Sequence, residues 1–442
     1  MRFDIKSHSP LAGRTSLPGD TGLTLSTMAI GMLSPEPVAV VNPSQSQHVA
    51  GFKKFLQQYG AEFNDVQDGF SMQGKLYDMD IIIGDDVPDS VLHLVICGAV
   101  FSGKSVTILN KTDKKVSIVK YLPDIMKNTG LTDESITEEE DTISIHPGTL
   151  NSDTEVTVTS SWAFEAVGVS TLASRSNLTV VYPVQTVSHS ERLLTLLGCQ
   201  IVPIDNNKSH ETELARRIAK ASGKTSMEIR RFEWNGVAAK TILIPGDTSL
   251  AAAVAGTAAV IPKSDVVLKD VLWERSRRGF FDVLRRMKGN ISYDHVCKEN
   301  SFDSADVRIS WSKLEGIQLT AEQATALTAE LLLLGAVAAS THGETVISDC
   351  NDEASLGREA FTILARGLEM LGAHVGDYTD GIAIKGGNEL KGDLVDSGGR
   401  ADVALALAVA GMNASGTTTV FGFDGSAYPV GSFMDIVKVL SS

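Results

Sequence analysis

Six times along this chain, a run of small and branched apolar residues leads straight into a short β-branched strand. The copies occupy residues 24–41, 91–109, 160–182, 249–271, 327–347 and 400–420. Repetition of this kind constrains a fold more than any single motif, since each copy is one supersecondary unit that cannot bury its apolar face alone. Each run is apolar on every side for about 12 to 15 residues, the mark of a buried helix. It falls short of the roughly 18 uncharged residues that would cross a bilayer. Ala and Gly dominate, as in SLAAAVAGTAAV at 249–260, so neighbouring backbones can approach closely. Turn residues follow each run, and a strand follows the turn.

A second element recurs between the copies. Residues 52–63, 191–202, 280–291 and 365–375 each read as an amphipathic helix closing on a hydrophobic pair and leading into another strand. Gly60, Gly198 and Gly372 stand where a helix C-cap needs a left-handed residue, and in the third segment Lys288 takes that place with Gly289 behind it. Residues 118–131 and 433–440 are a weaker and a shorter copy. The unit therefore reads buried helix, strand, outer amphipathic helix, strand. Three units precede about residue 243 and three follow it. This predicts an α/β fold of two similar domains, each with three sheets facing outward around a bundle of buried helices.

Hydrophobic residues make up 43% and charged residues 21% of the 442, as expected of a soluble globular protein. The net charge of −15 argues against nucleic acid or an anionic membrane as partner. Basic clusters at 274–279 and 284–288 read as solvated helix faces. Cys97, Cys199, Cys297 and Cys350 form no Cys-x-x-Cys pair, and the N-terminal residues lack an apolar signal core. Free thiols in the cytoplasm are the expectation. The nine histidines have no metal-binding spacing, so no metal and no cofactor are expected.

GAVFSGKS at 98–105 matches the P-loop pattern, which requires a strand before the loop and a helix after it. Here a buried-helix run precedes it and the strand-like VTILN follows, so the order is reversed and the motif reads as a plain helix-to-strand turn.

The most telling segments are GRTSLPGDTG (13–22), VTSSWAFEAVGVSTLA (158–173), IPGDTSLAAAVAGTAAVIP (244–262), ERSRRGFFDVLRRMKGNI (274–291), GLEMLGAHV (367–375) with TDGIAIKG (379–386), and RADVALALAVAGMNASGTTTV (400–420). With six units in two halves, they resemble the enolpyruvyl transferase superfamily, and within it 5-enolpyruvylshikimate-3-phosphate (EPSP) synthase, a transferase of the shikimate pathway. The resemblance covers almost the whole chain. It implies an inside-out α/β barrel of two domains, 1–19 plus 244–442 and 20–243. It also implies a monomer whose buried helices aim their N-termini at an interdomain cleft suited to anions. The implied ligand is phosphoenolpyruvate-like or a phosphorylated cyclic acid.

The family's site motifs are mostly altered. Where the family has Pro-Gly-Asp-Lys-Ser followed by an Arg, this chain has Pro18-Gly19-Asp20-Thr21-Gly22, with Ser26 near the Arg position. The phosphoenolpyruvate-binding Arg aligns with His93, and the Ser-Ser-Gln signature reads Ser160-Ser161-Trp162. The catalytic Asp falls near Ala329–Glu330, and the Lys-Glu-Ser-Asp-Arg signature keeps only a displaced Arg358 and Glu359. Asp-His-Arg becomes Gly398-Gly399-Arg400, which keeps the Arg, while residues 425–429 lack the C-terminal Lys.

Losing one buried hydrogen-bonded charge costs about 2–5 kcal/mol, and each 1.36 kcal/mol is about tenfold in rate. Ordinary EPSP synthesis is therefore not expected. Asp20, Thr21, His93, Ser160, Ser161, Arg358 and Arg400 remain as candidate ligand contacts, with Glu330 and Arg400 as the candidate catalytic pair. Each polar candidate also has a plain structural role. Asp20, Ser160 and Ser161 suit helix N-caps, and His93 suits a core position. Arg400 opens a buried helix, where the dipole disfavours a cation and asks for a compensating anion. Two functions stay open: a divergent enolpyruvyl-type transferase or elimination enzyme, and a non-catalytic paralogue acting as a binding or regulatory partner.

Overall fold

A computed structural model of the chain describes residues 2–7, 9–34, 36–75, 77–110, 112, 115–116, 118–119, 122, 131–148, 150, 154–158, 161–183, 189–203, 227–234, 240–274, 277–297, 301–319, 323–324, 327, 330–348, 357–378, 381–423 and 429–441. All six apolar runs contain a helix, introduced here as the core helices α1 (Thr21–Gly31), α2 (Asp89–Val100), α3 (Ser161–Ser174), α4 (Thr248–Val260), α5 (Glu330–Ala338) and α6 (Ala401–Met412). Every residue of α4 from Leu250 to Ala259 is buried, which is why this helix has no polar face.

The chain divides into two compact units. The first contains Met1–Asp20, Ser44–Gln47 and Pro245–Ser442, and the second Thr21–Pro43 and His48–Ile244. The described strands form six sheets. In the first unit, Ala12–Ser16 pairs parallel with Asp265–Leu272. Ser304–Ser310 then pairs antiparallel with both Asp265–Leu272 and Asn290–Cys297. The second unit repeats the pattern, with Lys240–Leu243 parallel to Val38–Val41, followed by two antiparallel neighbours.

Three of the units carry a strand that the sequence pattern does not show. Gly69–Gln73, Ser304–Ser310 and Gly381–Lys385 return antiparallel after the expected strand. The first of these hairpins turns through Gln67 and Asp68, and Asp68 takes a left-handed φ of 58°, which Asp tolerates. The amphipathic helices Gln47–Gln58 and Gly279–Arg286 stop just before the residues read as their C-caps. Gly60, Gly198, Gly372 and Lys288 all have positive φ, as C-caps need. Residues 118–131 lie largely outside the described set, and Cys350 lies outside it entirely.

The core helices of the first unit run parallel. Gly256, Val337 and Val409 meet at one point, and each stands about two turns into its helix. A methyl group at Gly256 would lie 2.6 Å from Val337 Cγ2 and 4.0 Å from Val409 Cγ1. At the start, Ser249 of α4 bonds Glu330 of α5, and just past the far end Asn413 Nδ2 donates to Ser340 Oγ at 2.9 Å. All three N-termini therefore share one end.

The second unit is built alike. His93 of α2 faces Glu165 of α3, and one turn deeper Ser170 hydrogen-bonds Cys97. Tyr77 donates its hydroxyl to the Ala29 carbonyl of α1 at 3.0 Å, and its ring fills the space over Gly98. The helix α2, the turn at 101–103 and the strand Val106–Ile108 follow in the order opposite to that of a P-loop.

Candidate active site

The chain holds the tripeptide Pro-Gly-Asp twice, at 18–20 and 245–247, and the first unit lays the two copies side by side. Gly19 and Gly246 form an antiparallel bridge. The Asp20 amide donates to the Pro245 carbonyl at 2.9 Å, and the Asp247 amide donates to the Pro18 carbonyl at 2.9 Å. The outcome is two neighbouring, buried carboxylates. Asp247 caps α4, its Oδ1 accepting the amides of Ser249 at 2.9 Å and Leu250 at 3.1 Å.

Glu330 supplies a third carboxylate. It is the first residue of α5, where an anion is favoured by the helix dipole. The Ser249 hydroxyl donates to Glu330 Oε1 at 2.6 Å, and only 5% of Glu330 is exposed. Arg277 is the counter-charge. Its Nη2 lies 3.1 Å from Asp20 Oδ2, in a side chain 29% exposed. Desolvation works against the guanidinium's charge, but Asp20, Glu330 and Asp247 outweigh it and raise its pKa above the ordinary value. Three carboxylates therefore act on this one arginine.

Arg400 is the N-cap residue of α6 at the same end of the bundle. Asp402 on the first turn takes it side-on, accepting from Nε at 3.1 Å and Nη2 at 2.6 Å. The anion that the dipole argument demanded is thus supplied within the chain.

The candidate residues fall into distinct places. Asp20 and Glu330 come together around Arg277, and Arg400 stands at the same end of the bundle. Thr21 opens α1 in the second unit. His93 lies within α2, buried, its Nε2 3.4 Å from Glu165 Oε2. Arg358 is committed elsewhere: it bonds the Asp377 carboxylate and the Gly381 carbonyl, tying its helix Gly357–Met370 to a strand pair. Ser161 opens α3, while Ser160, the Ser161 side chain and residues 424–428 lie outside the described set.

Sequence reasoning missed Arg277, which it had placed on a solvated face. The ion pair with Asp20 corrects that reading, at least for this residue of the cluster. The cue was the repeated Pro-Gly-Asp, since two such copies brought together gather acid that needs a nearby cation. Asp402 was visible two residues after Arg400 and was also passed over. In the second unit, burial pushes the Cys97 thiol up to about 12 despite the Ser170 hydrogen bond that lowers it. Among the described residues no cluster of His, Cys, Asp and Glu could hold a metal ion, and no helix is long and apolar enough to cross a membrane.

Comparison with known proteins agrees with this architecture. The family model described as EPSP synthase (3-phosphoshikimate 1-carboxyvinyltransferase) matches residues 213–429. A 3-phosphoshikimate 1-carboxyvinyltransferase from Desulforamulus reducens is 24% identical over 452 residues, covering 99% of each chain. One from Bacillus cytotoxicus is 28% identical over 278 residues, which span 63% of this chain and 61% of that protein. An EPSP synthase structure from Acinetobacter baumannii superposes with a TM-score of 0.77 at 19% identity, covering 100% of this chain and 98% of that one. The enolpyruvyl transferase NikO from Streptomyces tendae gives 0.72 at 14% identity, covering 98% and 96%. Whole-length sequence similarity, the family model over 213–429 and the shared fold converge on the enolpyruvyl transferase superfamily that includes EPSP synthase.

Proposed function

We propose that this protein binds a small anionic ligand, phosphoenolpyruvate-like or a phosphorylated cyclic acid. In the first unit Arg400 is its anion contact and Glu330 its proton acceptor, and EPSP itself is not made at an ordinary rate. The observation that carries this reading is the charge inventory at the helix ends. Asp20, Asp247 and Glu330 surround Arg277, and Asp402 engages Arg400. Holding two multiply charged substrates takes several uncommitted cations with forked donors. Among the described residues at these helix ends, Arg277 is ion-paired to Asp20 and Arg400 to Asp402, so neither guanidinium is uncommitted.

Glu330 supports residual chemistry. The Ser249 hydroxyl fixes one of its oxygens, and a carboxylate held in this way can accept a proton from a substrate hydroxyl. That role suits transfer of a carboxyvinyl group to a hydroxyl, or the reverse elimination.

The test is thermal melting with phosphoenolpyruvate, shikimate 3-phosphate and phosphate, alongside a phosphate-release assay for EPSP formation. The expected result is stabilisation by at least one anion, abolished by Arg400→Ala, with EPSP formation near background. Robust EPSP turnover would overturn the charge argument. The Arg400–Asp402 pair also favours a second reading, a non-catalytic paralogue in which the site is closed by its own acid. Absence of a shift with all three anions selects that reading.

A further inference from the structure

We infer that Asp402 sets the charge specificity of Arg400, admitting a singly charged carboxylate and turning away a phosphate dianion. This rests on the reading that Arg400 is the anion contact. Asp402 grips the Nε–Nη2 edge of the guanidinium, the edge an incoming oxyanion would use for a two-point bond. Its Oδ1 also accepts the Val403 amide at 2.8 Å, so the carboxylate is fixed to the first turn of α6 and does not swing away with the arginine.

The Arg400 side chain is still 31% exposed. Among the described residues, Asp402 is the side chain bonded to it. A ligand must therefore approach the end of the fork formed by Nη1 and Nη2, in view of a carboxylate that stays put. Repulsion from that carboxylate scales with ligand charge, so a dianion meets twice the penalty of a monoanion. The pair has no net charge to offer in compensation. The neighbouring helix ends add Asp20, Asp247 and Glu330, whose charges act on Arg277 and add to the same bias.

Asp402→Asn is the discriminating change. The amide keeps an oxygen for the Val403 amide and removes the charge. Calorimetric titrations of the full chain with pyruvate, as a monocarboxylate, and with inorganic phosphate would be compared for the wild type, Asp402→Asn and Arg400→Ala. Asp402→Ser, which also suits a helix start, serves as a second charge-removing variant.

The wild type should bind pyruvate more tightly than phosphate. Removing the acid should improve phosphate affinity about tenfold relative to pyruvate, on the scale of a close charge contact, and Arg400→Ala should lose both ligands. If Arg400→Ala loses pyruvate but the phosphate-to-pyruvate ratio is unchanged in both Asp402 variants, the specificity role is wrong and the Arg400 contact stands. If Arg400→Ala keeps its ligands, or if neither the wild type nor the Asp402 variants bind, the Arg400 contact and this inference both fall.

Discussion

Replacing Arg277 with Ala should cost the first unit about 2–4 kcal/mol, and the cost should be largely electrostatic. Asp20 is only 4% exposed and loses its ion-pair partner, while Asp247 and Glu330 lose the cation that offsets them. Breaking a buried pair by removing one partner typically costs about 3–5 kcal/mol. The 29% exposure of the Arg277 side chain lets water recover part of that. Glu330→Gln alone should cost about 1 kcal/mol or less, since a glutamine oxygen still accepts the Ser249 hydroxyl. The double variant then separates causes. If carboxylate repulsion drives the loss, Arg277→Ala/Glu330→Gln should be more stable than Arg277→Ala by about 1 kcal/mol, a coupling within the range of charges in one network. Urea titrations of the full chain, followed by far-ultraviolet circular dichroism with the two units fitted separately, would report it. A loss under 1 kcal/mol for Arg277→Ala, or a double variant less stable than the single one, would refute the reasoning.

Gly256→Ala should destabilise by about 1–2 kcal/mol. The gain in helix propensity of about 1 kcal/mol is outweighed by overpacking, typically about 1–3 kcal/mol or more, because the new methyl meets the stiff Val337 at 2.6 Å. Lys115→Met should cost about 2–3 kcal/mol in the second unit. The buried ammonium binds Asp85 Oδ1 at 3.1 Å and the Leu109 and Asn110 carbonyls at 3.2 and 3.4 Å. The same hydrogen bond and charge lower the Asp85 pKa, so the wild-type advantage over Asp85→Asn should be present above about pH 4 and fade as the pH falls through the depressed folded value. Cys97, with its pKa pushed up to about 12 by burial, should stay unlabelled by a thiol reagent at pH 8 in the native protein and react once it is unfolded.

The fold was legible because its strongest signal is one-dimensional. An all-apolar, Ala- and Gly-rich run such as 249–260 has no amphipathic alternative, so it can only be buried. The returning strands were harder to see, since Gly69–Gln73 is five residues long and its turn rests on a single left-handed Asp. Alignment with family motifs pointed to Asp20, Glu330 and Arg400 as candidates, and the fold sets them at one end of the helix bundle in the first unit. Arg277 was not among them, because its partner Asp20 lies 257 residues away and a basic cluster by itself reads as solvated surface. Charge pairing across that separation becomes visible only after the two Pro-Gly-Asp segments are paired.

The acids at these helix ends also determine what an anion would meet in the first unit. A parallel bundle gathers three sets of unsatisfied amides and three positive dipole ends at one place. In this chain each of those helices carries its own acid: Asp247 caps α4, Glu330 begins α5, and Asp402 sits on the first turn of α6. By the same measure Asp20 immediately precedes α1, α2 has Asp89 in its first turn, and α3 has no acid in its first turn. The two units are therefore alike in architecture and differ at one helix start, that of α3. In the first, intramolecular carboxylates already perform the electrostatic work of a ligand. Any anion it accepts meets them in place, so affinity there is set by repulsion from protein acids that stay put as well as by the arginine that binds it.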